Sequence, residues 1–137
     1  MNTKKIKSVF MLTVMLVATL FSSCTKEEKD VRNDYVGSYR NNFEYTENGQ
    51  VITGTYTLTI VKSSTNANDI LLNNINGWGE AVRATVNGNA MTIPQQTIMD
   101  VGISGSGTLN GNVLSFSTMH TRTGGTPVNV LQTATKQ

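Results

Sequence analysis

The 137-residue chain has one cysteine, one histidine, one tryptophan and two prolines. A lone thiol excludes an internal disulfide framework. One thiol and one imidazole, Cys24 and His120, cannot assemble the Cys- and His-rich donor set of a structural zinc site. Charge is scarce, at 15% of residues. Three of the eleven basic residues, Lys4, Lys5 and Lys7, open the chain with no acid among them, which leaves eight basic against nine acidic groups in the remainder. That balance excludes the basic stripe of a nucleic-acid-binding surface. The acids are too scattered to suggest a glycosidase carboxylate pair. Ser is plentiful, so His120 with Asp69 or Asp100 leaves a Ser-His-Asp arrangement open by composition. The segment Gly102-Ile103-Ser104-Gly105-Ser106-Gly107, however, has neither the spacing of a hydrolase elbow nor the following helix of a dinucleotide fingerprint. The expectation is a protein that is not an enzyme and needs no cofactor or metal. No apolar run reaches the ~20 residues of a comfortable membrane span, and no helical period lasts beyond two turns.

What is present begins with a leader. Residues 1–7 are short and basic, and residues 9–21 form a 13-residue apolar run broken only by Thr13 and Thr19. This is the form of a signal-peptide core. It ends at Leu20-Phe21-Ser22-Ser23-Cys24, which resembles the lipobox of bacterial lipoproteins, with Phe21 where that family usually has Leu. The resemblance implies removal of 1–23 and acylation of the Cys24 thiol, hence a palmitate-type anchor in a cell-envelope membrane. A free exported thiol would otherwise be a liability. Residues 24–33 then form a charged tether. Within it Lys26-Glu27-Glu28 resembles the surface-export signal of Bacteroidota lipoproteins, which implies the outer membrane and the cell surface.

From residue 34 to 137 the signal is alternation and turns. Thr favours pleated surfaces, and Asn and Gly favour tight turns. Asn48-Gly49 is a type I′ hairpin dipeptide. Counting outward from it pairs Tyr45 with Ile52, Phe43 with Gly54, Asn41 with Tyr56, Tyr39 with Leu58 and Gly37 with Ile60. That register puts nearly all apolar residues on one face, with Asn41 the exception, and a one-residue slip would invert every side chain. An internal repeat follows: residues 84–93 parallel 107–116, each around Asn-Gly-Asn. Counting outward from Asn87-Gly88 pairs Ala84 with Met91 and Val82 with Ile93. From Asn110-Gly111 it pairs Gly107 with Leu114, Gly105 with Phe116 and Ile103 with Thr118. Residues 70–75, 95–101 and 128–135 read as further strands, with Pro94 marking a strand end, edge or bulge. Residues 63–68 and 122–126 read as loops. The total is eight or nine antiparallel strands. Sequential hairpins favour a meander closed into a barrel, and a β-sandwich would give the same alternation.

Asp34-Tyr35-Val36-Gly37-Ser38-Tyr39 leading into a long strand resembles the Gly-x-Trp start of lipocalin-like (calycin) barrels, with Tyr39 at the Trp position. The likeness is to the small lipocalin-like lipoproteins of Bacteroidota. It implies a small barrel whose Trp-position ring pairs with a late basic residue, for which Arg122 is the candidate. An open interior would be walled by Tyr39, Phe43, Tyr56 and Phe116, with Asn41 as its polar group, and would take a small apolar or amphipathic ligand. The alternative is a protein-interaction module (an accessory subunit, adhesin or inhibitor) that works through loops 62–69, 76–80 and 121–127. In that reading Trp78 is either an exposed docking ring or folded back to cap one end of the barrel.

Overall fold

A computed structural model of the protein describes residues 27–137; Cys24 and Lys26 lie outside the described residues, and Glu27 and Glu28 are exposed. One short helix, α1 (Arg32–Tyr35), precedes eight strands: β1 (Gly37–Glu47), β2 (Gln50–Lys62), β3 (Asp69–Asn73), β4 (Ala81–Asn87), β5 (Ala90–Ile98), β6 (Val101–Asn110), β7 (Val113–Arg122) and β8 (Val128–Lys136). They form an antiparallel meander that closes into a barrel when β8 pairs with β1. The fold is therefore all-β and a barrel, not a sandwich.

The first hairpin has the register that Asn48-Gly49 dictates, from Gly37 opposite Ile60 to Tyr45 opposite Ile52. Asn48 and Gly49 both take positive φ (50° and 78°), as a type I′ turn requires. The second and third hairpins correct the expected register. Their turns are Gly88-Asn89 and Gly111-Asn112, one residue later than counted. Val86 faces Met91, Leu109 faces Leu114, Gly107 faces Phe116, Gly105 faces Thr118 and Ile103 faces His120. In Asn-Gly-Asn only the glycine goes to positive φ (58° in both), which is the first central position of a type II′ turn. The partners move by two residues, so every side chain keeps its face. Glycine still stands opposite bulk: a Cβ on Gly107 would collide with that of Phe116.

Two strand boundaries differ from expectation. The expected strand 95–101 does not exist as a unit. β5 runs through Pro94 by a bulge between Ile93 and Gln96, and the chain then reverses at Met99-Asp100. The expected strand 70–75 ends at Asn73, and Ile75–Gly77 is a 3-10 turn. The expected Val82–Ile93 pair is also absent, because the same two-residue shift takes Val82 and Ile93 out of register, and the β4–β5 ladder itself stops at Thr85 and Thr92. There the Gln96 side chain substitutes for a strand edge. It accepts from Arg83 N–H (3.0 Å) and donates to Arg83 C=O (2.8 Å).

The two ends of the barrel differ. At the end where β1 begins, Tyr35, Tyr39, Leu58, Ile60, Ile70, Leu72, Ala84, Met91, Leu114 and Ala134 are buried in one cluster. The α1 helix plugs this end. Tyr39 donates its hydroxyl to Tyr35 C=O (2.7 Å), and Tyr35 donates to Gly88 C=O (3.2 Å). Lys136, not Arg122, supplies the cation beside Tyr39, with Nζ 5.8 Å from the ring centre. Arg122 ends β7 at the opposite, open end.

Candidate functional site

The open end arises from short pairing. β3 meets β2 only over Asn73–Ile70 against Thr59–Lys62, so the mouth-side half of β2 has no strand beside it there. The 74–80 connection fills the gap. Asn74 and Asn76 take left-handed φ (65° and 52°), which short amide side chains tolerate, and Asn74 Nδ2 donates to Thr57 C=O at 2.8 Å. The loop therefore turns inward, and Trp78 packs against the core at the mouth instead of standing free at a loop tip.

Behind this mouth lies a cavity of about 690 Å³. β1 supplies Phe43 and Tyr45, whose rings stack at 6.2 Å. The 74–80 loop supplies Asn76 and Trp78, and β7 supplies His120 with Arg122 at the rim. Val101, Val128 and Val130 add apolar wall. The Trp78 and His120 rings lie 5.0 Å apart. Asn76 Nδ2 sits 3.2 Å from His120 Nε2. An amide nitrogen only donates, so Nε2 accepts, and the imidazole keeps its proton on Nδ1 for another partner. Burial, with the Arg122 charge adding to it, holds His120 below the ordinary imidazole pKa, so the ring is neutral at neutral pH.

One inward position deeper on each strand is a belt of polar side chains. Gln132 of β8 accepts at Oε1 from Asn41 Nδ2 of β1 (2.9 Å) and from the Tyr56 hydroxyl of β2. Its Nε2 donates to Thr118 Oγ1 of β7 (2.9 Å). These strands adjoin one another, so the belt lines half of the barrel, while β3 to β6 line the other half with Ile, Leu, Val, Ala and Met. Asn41 Oδ1 is buried without a partner. Burial pushes the Tyr56 hydroxyl up to about 12, so it stays protonated and donates.

The expected pocket residues thus separate. Asn41 and Tyr56 belong to the belt beneath the cavity. Tyr39 is fully buried at the closed end, and Phe116 packs in the core against Gly107. Of the two alternatives for Trp78, the structure has the folded-back one: the ring packs at the mouth and walls the cavity. Phe43 is a cavity wall, as alternation predicts for an open interior, whereas Tyr45, Asn76 and His120 are wall residues that alternation and turn chemistry do not single out as a pocket. The β7 signal is nevertheless in the sequence: Leu114, Phe116, Thr118, His120 and Arg122 share one parity, so His120 has to face inward. Asp69, the candidate partner for His120, is instead bound on the outer face by Arg83 (3.2 Å) and Thr85 (2.7 Å). No protein-family model matches the chain, and no curated protein matches it.

Proposed function

We propose that the protein is a non-enzymatic lipoprotein, held at Cys24 in the outer membrane and exported to the cell surface, whose barrel mouth binds a small amphipathic ligand. The single observation that supports binding is the cavity of about 690 Å³, which is walled by Phe43, Tyr45 and Trp78 and carries one neutral imidazole. Ligand sites are concave and combine apolar walls with placed polar groups, and here Phe43, Tyr45, Trp78 and three valines share the lining with Thr46, Glu47, Asn48, Asn76, His120 and Arg122, which suits an amphipathic ligand better than a purely apolar one. The ligand suited to it has a flat apolar body for the aromatic walls and one hydrogen-bond acceptor for His120 Nδ1–H. The anchor and export parts of the reading rest on the leader, on Cys24 and on Lys26-Glu27-Glu28.

The test of binding is native mass spectrometry of the chain from Thr25 onward, purified from its own host's envelope. A discrete added mass, lost on unfolding and on Trp78→Ala substitution, is the expected result. A bare mass, together with Trp78 emission unmoved by apolar probes, overturns the carrier reading in favour of a protein partner at the rim loops. The anchor is tested separately: Cys24→Ser is expected to release the protein from the membrane fraction. Replacing Lys26, Glu27 and Glu28 by Ala is expected to lower protease accessibility on intact cells.

A further inference from the structure

The chain reaches the barrel at its closed end and is tied there. Asp30 binds Arg32 (2.9 Å) and Lys62 (2.8 Å), the last residue of β2. Arg32 also donates to the carbonyls of Ser63 (3.2 Å) and Asn66 (3.1 Å) in the β2–β3 loop. Arg32, then Lys62, holds the Asp30 carboxyl well below the usual carboxylate range, so the clasp stays charged in mild acid. Val31 packs against the core and Tyr35 is buried in it. Every free position of the tether therefore precedes Asp30.

Six residue steps separate Asp30 from Cys24. Fully extended, they reach about 21 Å. The 11 residues of β1, at a rise of ~3.3 Å and a barrel tilt of ~40°, give a wall about 28 Å high. A mouth-down barrel would require the tether to run the full height of that wall, which it cannot do. The surface chemistry alone would suggest the reverse, because Val51 and Met99, two of the exposed large apolar side chains, flank the mouth. The closed end shows the uncharged turns Gly88-Asn89 and Gly111-Asn112 and the Asn66-Ala67-Asn68 loop, all exposed. Reach decides between the two.

We infer that the closed end is the membrane-facing surface, and that the mouth is held off the bilayer so that it meets ligand from the aqueous side. This rests on the lipid-anchor reading above but not on the identity of any ligand.

Because Cys24 is acylated in this reading, an added cysteine is the one free thiol. Gln50→Cys marks the mouth and Ala67→Cys the closed end, both at exposed positions. The full lipidated protein, labelled at one or the other, is placed in vesicles of phosphatidylethanolamine and phosphatidylglycerol carrying an acceptor dye on the headgroups. Energy transfer is expected to be ~2-fold or more stronger from position 67, given a wall taller than the tether. Equal or stronger transfer from position 50 overturns the proposal. Inserting twelve Gly/Ser residues after Glu28 extends the reach to about 60 Å and is expected to bring the ratio toward one. A ratio unmoved by the insertion overturns the tether as the cause. The mass of the amino-terminal peptide is read in parallel. An unacylated Cys24 on protein that fails to float with vesicles defeats the anchor reading and this inference together, whereas an acylated protein with the wrong gradient defeats this inference alone.

Discussion

Gln132 has the most partners of any buried side chain inside the barrel. It holds the Asn41 amide, the Tyr56 hydroxyl and the Thr118 hydroxyl at once. Losing one donor costs little, so Tyr56→Phe is expected to cost about 1 kcal/mol in urea unfolding. Gln132→Leu leaves three polar groups unpaired and is expected to cost about 3 kcal/mol. The double substitution is expected to cost less than the sum, because Tyr56→Phe removes one of the orphaned groups. Equal single costs would mean that the belt is satisfied by other groups. His120 gives the pH dependence. Its folded pKa lies below the unfolded value of ~6.5, so between the two the unfolded chain binds more protons. The stability it contributes is present above pH ~6.5 and is lost as pH falls through the folded pKa. Thermal melts of the wild type are thus expected to lose more stability between pH 7.5 and 5.5 than those of His120→Gln. Protonation next to Trp78, 5.0 Å away, is expected to quench its emission with the same midpoint. A flat emission profile would show that the ring does not titrate in this range.

At the scale of the element, the turns decide what the chain reveals and what it hides. Met99 and Asp100 make a two-residue reversal with both φ positive (48° and 65°), a conformation that favours Asn-Gly and strains a long side chain. Replacing the pair by Asn-Gly is expected to raise stability by about 1 kcal/mol in chemical denaturation. No gain would indicate that the flanking strands, and not the turn, dominate this hairpin. The same fact explains why residues 95–101 read as one strand: with no glycine or asparagine at the reversal, alternation runs on across it. Where a turn carries its own chemistry the register is legible. Asn48-Gly49 fixes β1 against β2 residue for residue. Asn-Gly-Asn offers two candidate dipeptides, and the choice of Gly-Asn follows from backbone conformation that a sequence does not print. The faces survive that error because the strand period is two. The inward turn of 74–80 is not legible, since it depends on β3 stopping at Asn73 and on asparagines adopting left-handed φ. Sequence alone therefore leaves Trp78 open between a docking ring and a folded-back cap and Asn76 on a loop, and the cavity that they complete stays hidden.

At the scale of the molecule, the two ends of one barrel are built differently. The closed end is packed, plugged by α1 and tied by the Asp30–Arg32–Lys62 clasp; the mouth end leaves a cavity. A stable cup needs this division, because an empty mouth forfeits apolar contacts that the packed end must supply. The division can be tested by opposite substitutions. Leu114 is fully buried at the packed end, so Leu114→Ala should leave a cavity and cost about 3 kcal/mol, while the mouth geometry and ligand uptake persist in the folded fraction. Val130 is buried but lines the cavity, so Val130→Phe directs its added bulk toward that space. It is expected to hold stability constant or raise it by up to about 1 kcal/mol, and to abolish the added mass expected in native mass spectrometry of the wild type. If Val130→Phe destabilises as a core overpacking would, the mouth is collapsed in solution and the cup is not a binding site. If it stabilises and the ligand mass remains, the ligand sits elsewhere. Stability gained with binding lost is the signature of a cavity kept open for function.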